Sequence, residues 1–484
     1  MKKKTVNRFL TVLASAMLLS GCTSAPAEEP STSKFDRETD YLVIGGGIAG
    51  LSSAIEAADL GCEDILLLDK LAFLGGSAFV SGGIVGGYET QVTKAMDLHV
   101  DPQDMYNDQM AEKKFKLDPD LTWLTTEKSG ETIDWLIDNI GVKFQPEVVI
   151  KPGYGSLQTI HLVEGEGPGF RDPYTKALEE RPQIKVETET KALELIEEDG
   201  KIVGAVVEQN GEQQRIGAKA VMLATGGYSS NHDLFTQVHP ANAVFQTSPM
   251  PGTTGDGLIM ATKVGAGTNC LDQIQVYLRE YEDPKSQTPY MYNLFVGLDG
   301  NRFMDEKRIA QTYNQEIKDD TIALYGRQGA DYFWSINDQM MMEKTGIAEG
   351  AAEHPGVVVA DTLDELAEKT GIDPEGLKAT VAHWNEMVMS GADTDFGRTQ
   401  MMAPILEGPY YALKTTWFSS ITHGGITKNE NAEVVRVDGS VIEGLYAAGE
   451  VTTCTNSNGY TISNAITFGR IGAQSAMDYI KASK

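Results

Sequence analysis

The chain has 484 residues, 41% of them hydrophobic, which is enough to bury a sizeable core and predicts two domains rather than a disordered protein. Its 40 basic and 69 acidic residues give a formal charge of −29, a field that repels phosphate backbones within a Debye length and sets nucleic acid aside as a partner. The four cysteines show no CxxC or CxxCH spacing, so nothing points to an iron–sulfur cluster, an attached c-type haem or a structural zinc site.

At the N-terminus, Lys2, Lys3, Lys4 and Arg8 precede an apolar stretch from Phe9 to Leu19, too short to span a bilayer, which is the pattern of a signal peptide. Leu19-Ser20-Gly21-Cys22 resembles the bacterial lipobox and would make Cys22 the lipidated first residue of the mature protein; an incidental cysteine is the alternative. Residues 1–22 are thus expected to be a lipoprotein signal, and residues 23–36, rich in Ser, Thr, Pro, Ala and Glu, a flexible tether. Acyl chains would hold the acidic domain against the outer face of the cell membrane.

Tyr41-Leu42-Val43-Ile44 is a short apolar strand, and Gly45-Gly46-Gly47-Ile48-Ala49-Gly50 follows it as GxGxxG. Gly45 permits the tight turn, Gly47 lets the backbone approach a pyrophosphate, and Gly50 lets helix pack on strand. A helix from about Ile48 to Leu60 offers its N-terminal N–H groups and dipole to that anion. Ile65 to Leu68 form a second strand, ending on Asp69, a carboxylate placed to accept hydrogen bonds from a ribose. A dinucleotide site is predicted; the bland alternative is a Gly-rich turn in an ordinary βαβ unit.

A second Gly and Ser loop follows, Gly75-Gly76-Ser77 with Ser81-Gly82-Gly83, suited to backbone donors wrapping a long cofactor. Val221 to Gly227 is a buried strand ending on the small residues Ala224, Thr225 and Gly226. Thr254-Gly255-Asp256-Gly257 opens a helical pattern from Leu258 to Val264. Leu445 to Glu450 is another buried strand, closed by Gly449 and by Glu450, an acid able to hold ribitol or ribose hydroxyls. Cys62, Cys270 and Cys454 read as small buried hydrophobes.

With these motifs in this order the chain resembles the soluble fumarate reductase and flavocytochrome c type flavoproteins, a family that includes urocanate reductases and, further off, 3-ketosteroid dehydrogenases. The resemblance covers approximately residues 37–482. It includes Asn301-Arg302-Phe303-Met304-Asp305-Glu306, similar to GxRFxNE, and Asp361–Ala367 with Leu377–Asn385, similar to paired cap helices. Thr362 with Glu365 is itself a capping box. Asn464-Ala465-Ile466-Thr467-Phe468-Gly469-Arg470 is similar to the family's flavin-contacting NAI motif and closing helix.

The resemblance implies an α/β fold, a doubly wound, Rossmann-like FAD-binding domain assembled from residues 37–273 and 399–484, with an inserted α+β capping domain at 274–398. Lys70, Ala192, Asn464, Ala465 and Ile466 join the glycine-loop residues as implied FAD contacts. Relatives that attach FAD covalently carry a His in the loop matching Gly75–Gly83; none stands here, so non-covalent FAD is expected.

In such flavoproteins hydride passes from flavin N5 to the β-carbon of an activated alkene, a cap Arg donates the proton, and two clamps of Arg and His hold the carboxylates. This chain departs at those positions. The proton-donating Arg falls on Ala310, with Arg308 two residues earlier as either a shifted donor or a solvated surface Arg. The carboxylate-holding Arg falls on Tyr460, which either hydrogen-bonds substrate or packs as an apolar ring. The neighbouring His falls on Ile421, with His423 two places on, either polarising a carbonyl or serving as a structural His. The His early in the cap is replaced by Arg279, which either pairs with a substrate carboxylate or forms an ion pair with Glu280 or Glu282. Tyr277, Tyr281, Tyr290, Tyr292 and Tyr313 also lie in the cap, and a Tyr serves as acid when its anion is stabilised; most are expected to pack.

These departures argue against fumarate itself and imply a reductase of another small α,β-unsaturated acid or enone, working outside the cytoplasm. Without a haem, cluster or second flavin domain, the chain would need an external electron donor, a quinol-linked system or a flavin-carrying partner. A 3-ketosteroid-dehydrogenase-like desaturase is the second expectation, opposed by the lack of a Tyr-Pro-Gly motif near Tyr460. A non-catalytic flavoprotein electron carrier is the third, motivated by Ala310.

Overall fold

A computed structural model describes residues 34–113, 116–151, 155–247, 250–281, 293–306, 315–344, 350, 354, 356–398, 403–452 and 458–483. Cys22, Glu282, Tyr290, Tyr292, Arg308, Ala310, Tyr313 and Cys454 lie outside the described residues.

In chain order, the first part comprises β1 (Arg37–Ile44), α1 (Ile48–Asp59), β2 (Ile65–Leu68), β3 (Ile184–Glu187), β4 (Thr190–Glu198), β5 (Lys201–Gln209) and β6 (Glu212–Leu223). A second part follows with β7 (Ile274–Glu280), β8 (Leu294–Val296), β9 (Phe333–Asp338), β10 (Val357–Ala360), α2 (Leu363–Thr370), α3 (Pro374–Ser390) and β11 (Tyr410–Thr422). The chain then returns to the first sheet with β12 (Val441–Ala447) and closes with α4 (Thr461–Ala482).

The first sheet holds a parallel core in the order β12, β6, β1, β2, β3, in register at Ala447↔Leu223, Leu223↔Ile44, Ile44↔Leu68 and Leu68↔Glu187. Parallel strands covered on both faces need apolar side chains in both directions, which is why Ile65-Leu66-Leu67-Leu68 is uninterrupted. Strand alternation sends Tyr41 and Val43 to one core, with α1 and α4, and Leu42 and Ile44 to the other, with Val221 and Leu223. Helices α1 and α4 touch closely because Gly469 has no side chain; a Cβ there would lie 2.4 Å from the Ala49 carbonyl oxygen. The nucleotide fold is thus assembled from both ends of the chain.

The second sheet is antiparallel, in the order β7, β11, β9, β8, with β10 also on β11. It continues past residue 398, since β11 supplies the central partner of β7, β9 and β10. Its own core gathers Leu294, Trp334, Ile336, Leu366 and Trp384. Thr362 caps α2 by accepting the Glu365 N–H at 3.2 Å, and the Glu365 carboxylate returns to the Asp361 N–H at 3.0 Å, one residue before the expected box partner.

A buried ion network stiffens this part. Arg302 donates to both oxygens of Glu306, each at 2.8 Å, and to Asp393 at 2.8 and 2.9 Å, while Arg398 reaches Glu306 at 2.8 Å. The sequence offers RF and DE as a motif, but nothing in it joins them to Asp393 and Arg398. Of the cysteines, Cys62 is buried, whereas Cys270 is only partly covered and sits at φ 55°. Its carbonyl accepts the Gln273 N–H at 2.8 Å in the turn before β7, which leaves its side chain at the edge of a small cluster with Met110 and Leu117 rather than inside the main core.

Candidate active site

A cavity of about 840 Å³ opens at the C-terminal ends of the parallel strands, where Ile44, Leu68 and Ala224 border it. Its other wall belongs to the second sheet: Gln275, Tyr277 and Arg279 of β7, with Phe418, Ser419 and Ile421 of β11.

The glycine turn is built as its spacing predicts. Gly45 adopts φ 111°, and a Cβ there would lie 2.2 Å from the Ala224 carbonyl oxygen; one on Gly50 would lie 1.9 Å from the Gly45 oxygen. Gly47 is different. A Cβ there meets nothing of the protein nearer than 4.0 Å, yet Gly47 lines the cavity and caps α1 with no side-chain hydrogen bond. Open space before uncapped N–H groups suits a pyrophosphate, so the residues present fit the dinucleotide that the motif implies. Gly75, at φ 102°, donates its N–H to the Gly46 oxygen at 2.7 Å, which seats the second glycine loop on the first.

Most expected cofactor residues come together around this space. Gly45, Gly47, Ile48, Ala49, Asp69 and Lys70 line it, as do Gly75, Gly76, Ser77, Ser81 and Gly82. Ala192, Ala224, Thr225, Gly226, Asp256, Gly449, Glu450 and Ala465 complete the set. Gly50, Gly83, Asn464 and Ile466 do not border it. Gly50 serves helix packing, Gly83 takes φ 63° where a Cβ would lie 2.6 Å from Glu166, and Asn464 and Ile466 point into the buried side of α4.

Three acids line the cavity. Asp69 accepts the Gly46 and Leu71 N–H groups, each at 2.8 Å, and burial raises its carboxyl while those bonds oppose the rise. Its remaining lone pairs are the part available to a ribose. Glu450 accepts from the Thr422 N–H at 2.9 Å and Thr422 hydroxyl at 3.1 Å; burial nevertheless pushes it up to about 7. Asp256 instead pairs with Lys70 at 2.5 Å and Lys191 at 3.3 Å, fastening the turn after β2 and the start of β4 to the helix that opens at Asp256. Burial pushes its carboxyl up, but the bond and charge of Lys70 prevail and leave it lowered.

Of the expected catalytic residues, Arg279 lines the cavity, His423 and Tyr460 do not, and Arg308 lies outside the described residues. Arg279 Nη1 donates to the Leu278 carbonyl at 3.1 Å, and its guanidinium lies 5.6 Å from the centre of the Tyr277 ring. The alternative partner Glu280 is buried on the opposite strand face, 3.4 Å from His354. Tyr460 is buried behind the wall, its hydroxyl 2.5 Å from that of Thr159 and its ring against Gly86; burial raises its phenol. His423 is buried beyond the end of β11, and burial, with the nearby charge of Lys113, holds its imidazole well below the ordinary value and therefore neutral. The register of β11 puts Ile421, not His423, on the cavity.

Gln275, Tyr277, Ser419, Asn458 and the loop from Met250 to Thr253 also line the site. The alternation of Ile274-Gln275-Val276-Tyr277-Leu278-Arg279 was the available signal for the first two. Lys113 had none: it is 1% exposed, with Nζ 3.3 Å from Asn458 Oδ1 and 3.3 Å from Glu112 Oε1.

The profile of the family described as an FAD binding domain matches residues 40–467. A urocanate reductase of Eggerthella lenta is 31% identical over 502 residues, covering 97% of this chain and 80% of its own. A probable fumarate reductase of Shewanella frigidimarina is 30% identical over 451 residues, covering 90% and 74%. Among solved structures, the open conformation of a flavocytochrome c3 fumarate reductase is similar with a TM-score of 0.79 at 28% identity, over 92% of this chain and 79% of that one.

Proposed function

Because this chain belongs to the FAD binding domain family, we propose that it is an FAD-dependent oxidoreductase that reduces the activated C=C bond of a small unsaturated acid or enone. The observation that carries this reading is a cavity bounded by the nucleotide turns on one side and by the polar face of β7 on the other. Relatives named for fumarate and for urocanate share one reaction on unlike substrates, which supports the reaction class more firmly than any one substrate.

When bound, FAD supplies the hydride. The chain's own residues do the rest. The Gly45–Gly50 turn and the N-terminus of α1 hold the pyrophosphate, while Asp69 and Glu450 meet sugar and ribitol hydroxyls. Arg279 anchors the substrate's carboxylate or carbonyl and fixes the alkene against the nucleotide wall. The second sheet forms the wall facing the nucleotide turns, so substrate would lie between the two. No His stands between Gly75 and Gly83, which supports dissociable FAD. Leu19-Ser20-Gly21-Cys22 supports a lipid-anchored protein outside the cytoplasm, served by an external quinol-linked or flavin-carrying donor.

Purified protein should be yellow and release FAD on acid denaturation. Reduced anaerobically with a viologen dye, it should be reoxidised by at least one conjugated acid or enone from a panel that includes steroid enones. A protein that holds FAD but is reoxidised by no member would be an electron carrier, and the proposal would fail.

A further inference from the structure

Strand alternation directs Ile274, Val276 and Leu278 of β7 into the core and Gln275, Tyr277 and Arg279 onto the cavity. The three polar side chains are joined. Gln275 Nε2 donates to the Tyr277 hydroxyl oxygen. An amide N–H can only donate, so it occupies acceptor capacity on the phenol and directs the phenol's own proton elsewhere. The Arg279 guanidinium, 5.6 Å from the Tyr277 ring centre, places a positive charge where negative charge develops when that proton leaves. Phe418 faces Tyr277 across the ladder and also lines the cavity, giving the ring a fixed apolar support.

We propose that Tyr277 is the general acid of the reaction, with Gln275 and Arg279 as the residues that position and acidify it. This rests on the alkene-reducing role given above. One carbon of the substrate double bond takes the Tyr277 Oη proton while the other takes the hydride, both electrons coming from the reduced flavin. C=C becomes CH–CH, Tyr277 is left as a phenolate held by the Gln275 N–H and the Arg279 charge, and water returns the proton. The other charged groups along this cavity are Asp69, Lys70, Lys191, Asp256 and Glu450. Lys70 and Lys191 are engaged by Asp256, so among the described residues Arg279 is the cation beside the phenol.

Tyr277→Phe keeps the ring and removes the hydroxyl, and with it the transferable proton. In the oxidised holoenzyme labelled with carbon-13 tyrosine, the Tyr277 signal is the one missing from this variant. It should titrate at least about tenfold more acidic than free tyrosine, and should move back toward it in Gln275→Leu and Arg279→Gln. In turnover, Tyr277→Phe should lose about 10²–10⁴-fold in kcat with KM within about threefold. A Tyr277 that titrates like free tyrosine and ignores Arg279→Gln, or a Tyr277→Phe enzyme that turns over as the parent does, overturns the proposal. If the unmodified holoenzyme reduces no alkene, the parent reading fails instead, which the same assay reports separately.

Discussion

Replacing Glu450 by Gln isolates the one carboxyl on the cavity wall whose protonation is predicted to change near neutral pH. Its ordinary value is 4.5 and the fold raises it to about 7. The folded state therefore binds this proton more tightly than the unfolded chain does. The stability this gives is complete below about pH 4.5 and is lost as the pH rises through about 7. At about 1.4 kcal/mol per unit, the interval amounts to about 3 kcal/mol, an upper figure because part of the carboxyl borders the cavity, where water screens it. Gln keeps the oxygen that accepts the two Thr422 bonds and cannot ionise. Denaturant unfolding of the flavin-free protein and Glu450→Gln, run side by side from about pH 5 to about pH 8, measures the difference directly. The variant should gain on the parent by up to about 3 kcal/mol across that window and then run level with it. Parallel curves would refute the reasoning, because other titrating groups are common to both proteins.

The glycines of the turn should separate by what surrounds them. Gly47→Ala should fold normally and lose about tenfold or more in FAD retention by equilibrium dialysis, whereas Gly50→Ala, 1.9 Å from a carbonyl oxygen, should yield insoluble protein. Glu306→Gln leaves Arg302 and Arg398 short of a buried partner and should cost about 3–5 kcal/mol in thermal unfolding, with flavin still bound. Tyr460→Phe removes a buried hydrogen bond to Thr159 worth about 1 kcal/mol and should leave kcat within about twofold of the parent. A loss of kcat by about 10² there would put Tyr460 in the substrate site after all.

The nucleotide-binding half was legible in the sequence because its rules are local. Turn geometry dictates the glycines, β-period dictates the apolar strands, and a helix must follow; the helix expected at about Ile48–Leu60 is found at Ile48–Asp59. Family resemblance added the cofactor and the reaction class. Tertiary structure decided which side chains share the cavity. Alternation along β7 already puts Gln275, Tyr277 and Arg279 on one face, but only the pairing of β7 with β11 turns that face to the cavity and brings Phe418 and Ile421 to it, while His423 lies beyond that ladder and Tyr460 is held against Thr159. Asp256 and the Arg302–Glu306–Asp393–Arg398 network are likewise defined by partners far along the chain. A buried charge is tolerable only where folding brings its counter-charge, so these roles exist only once the whole chain has closed.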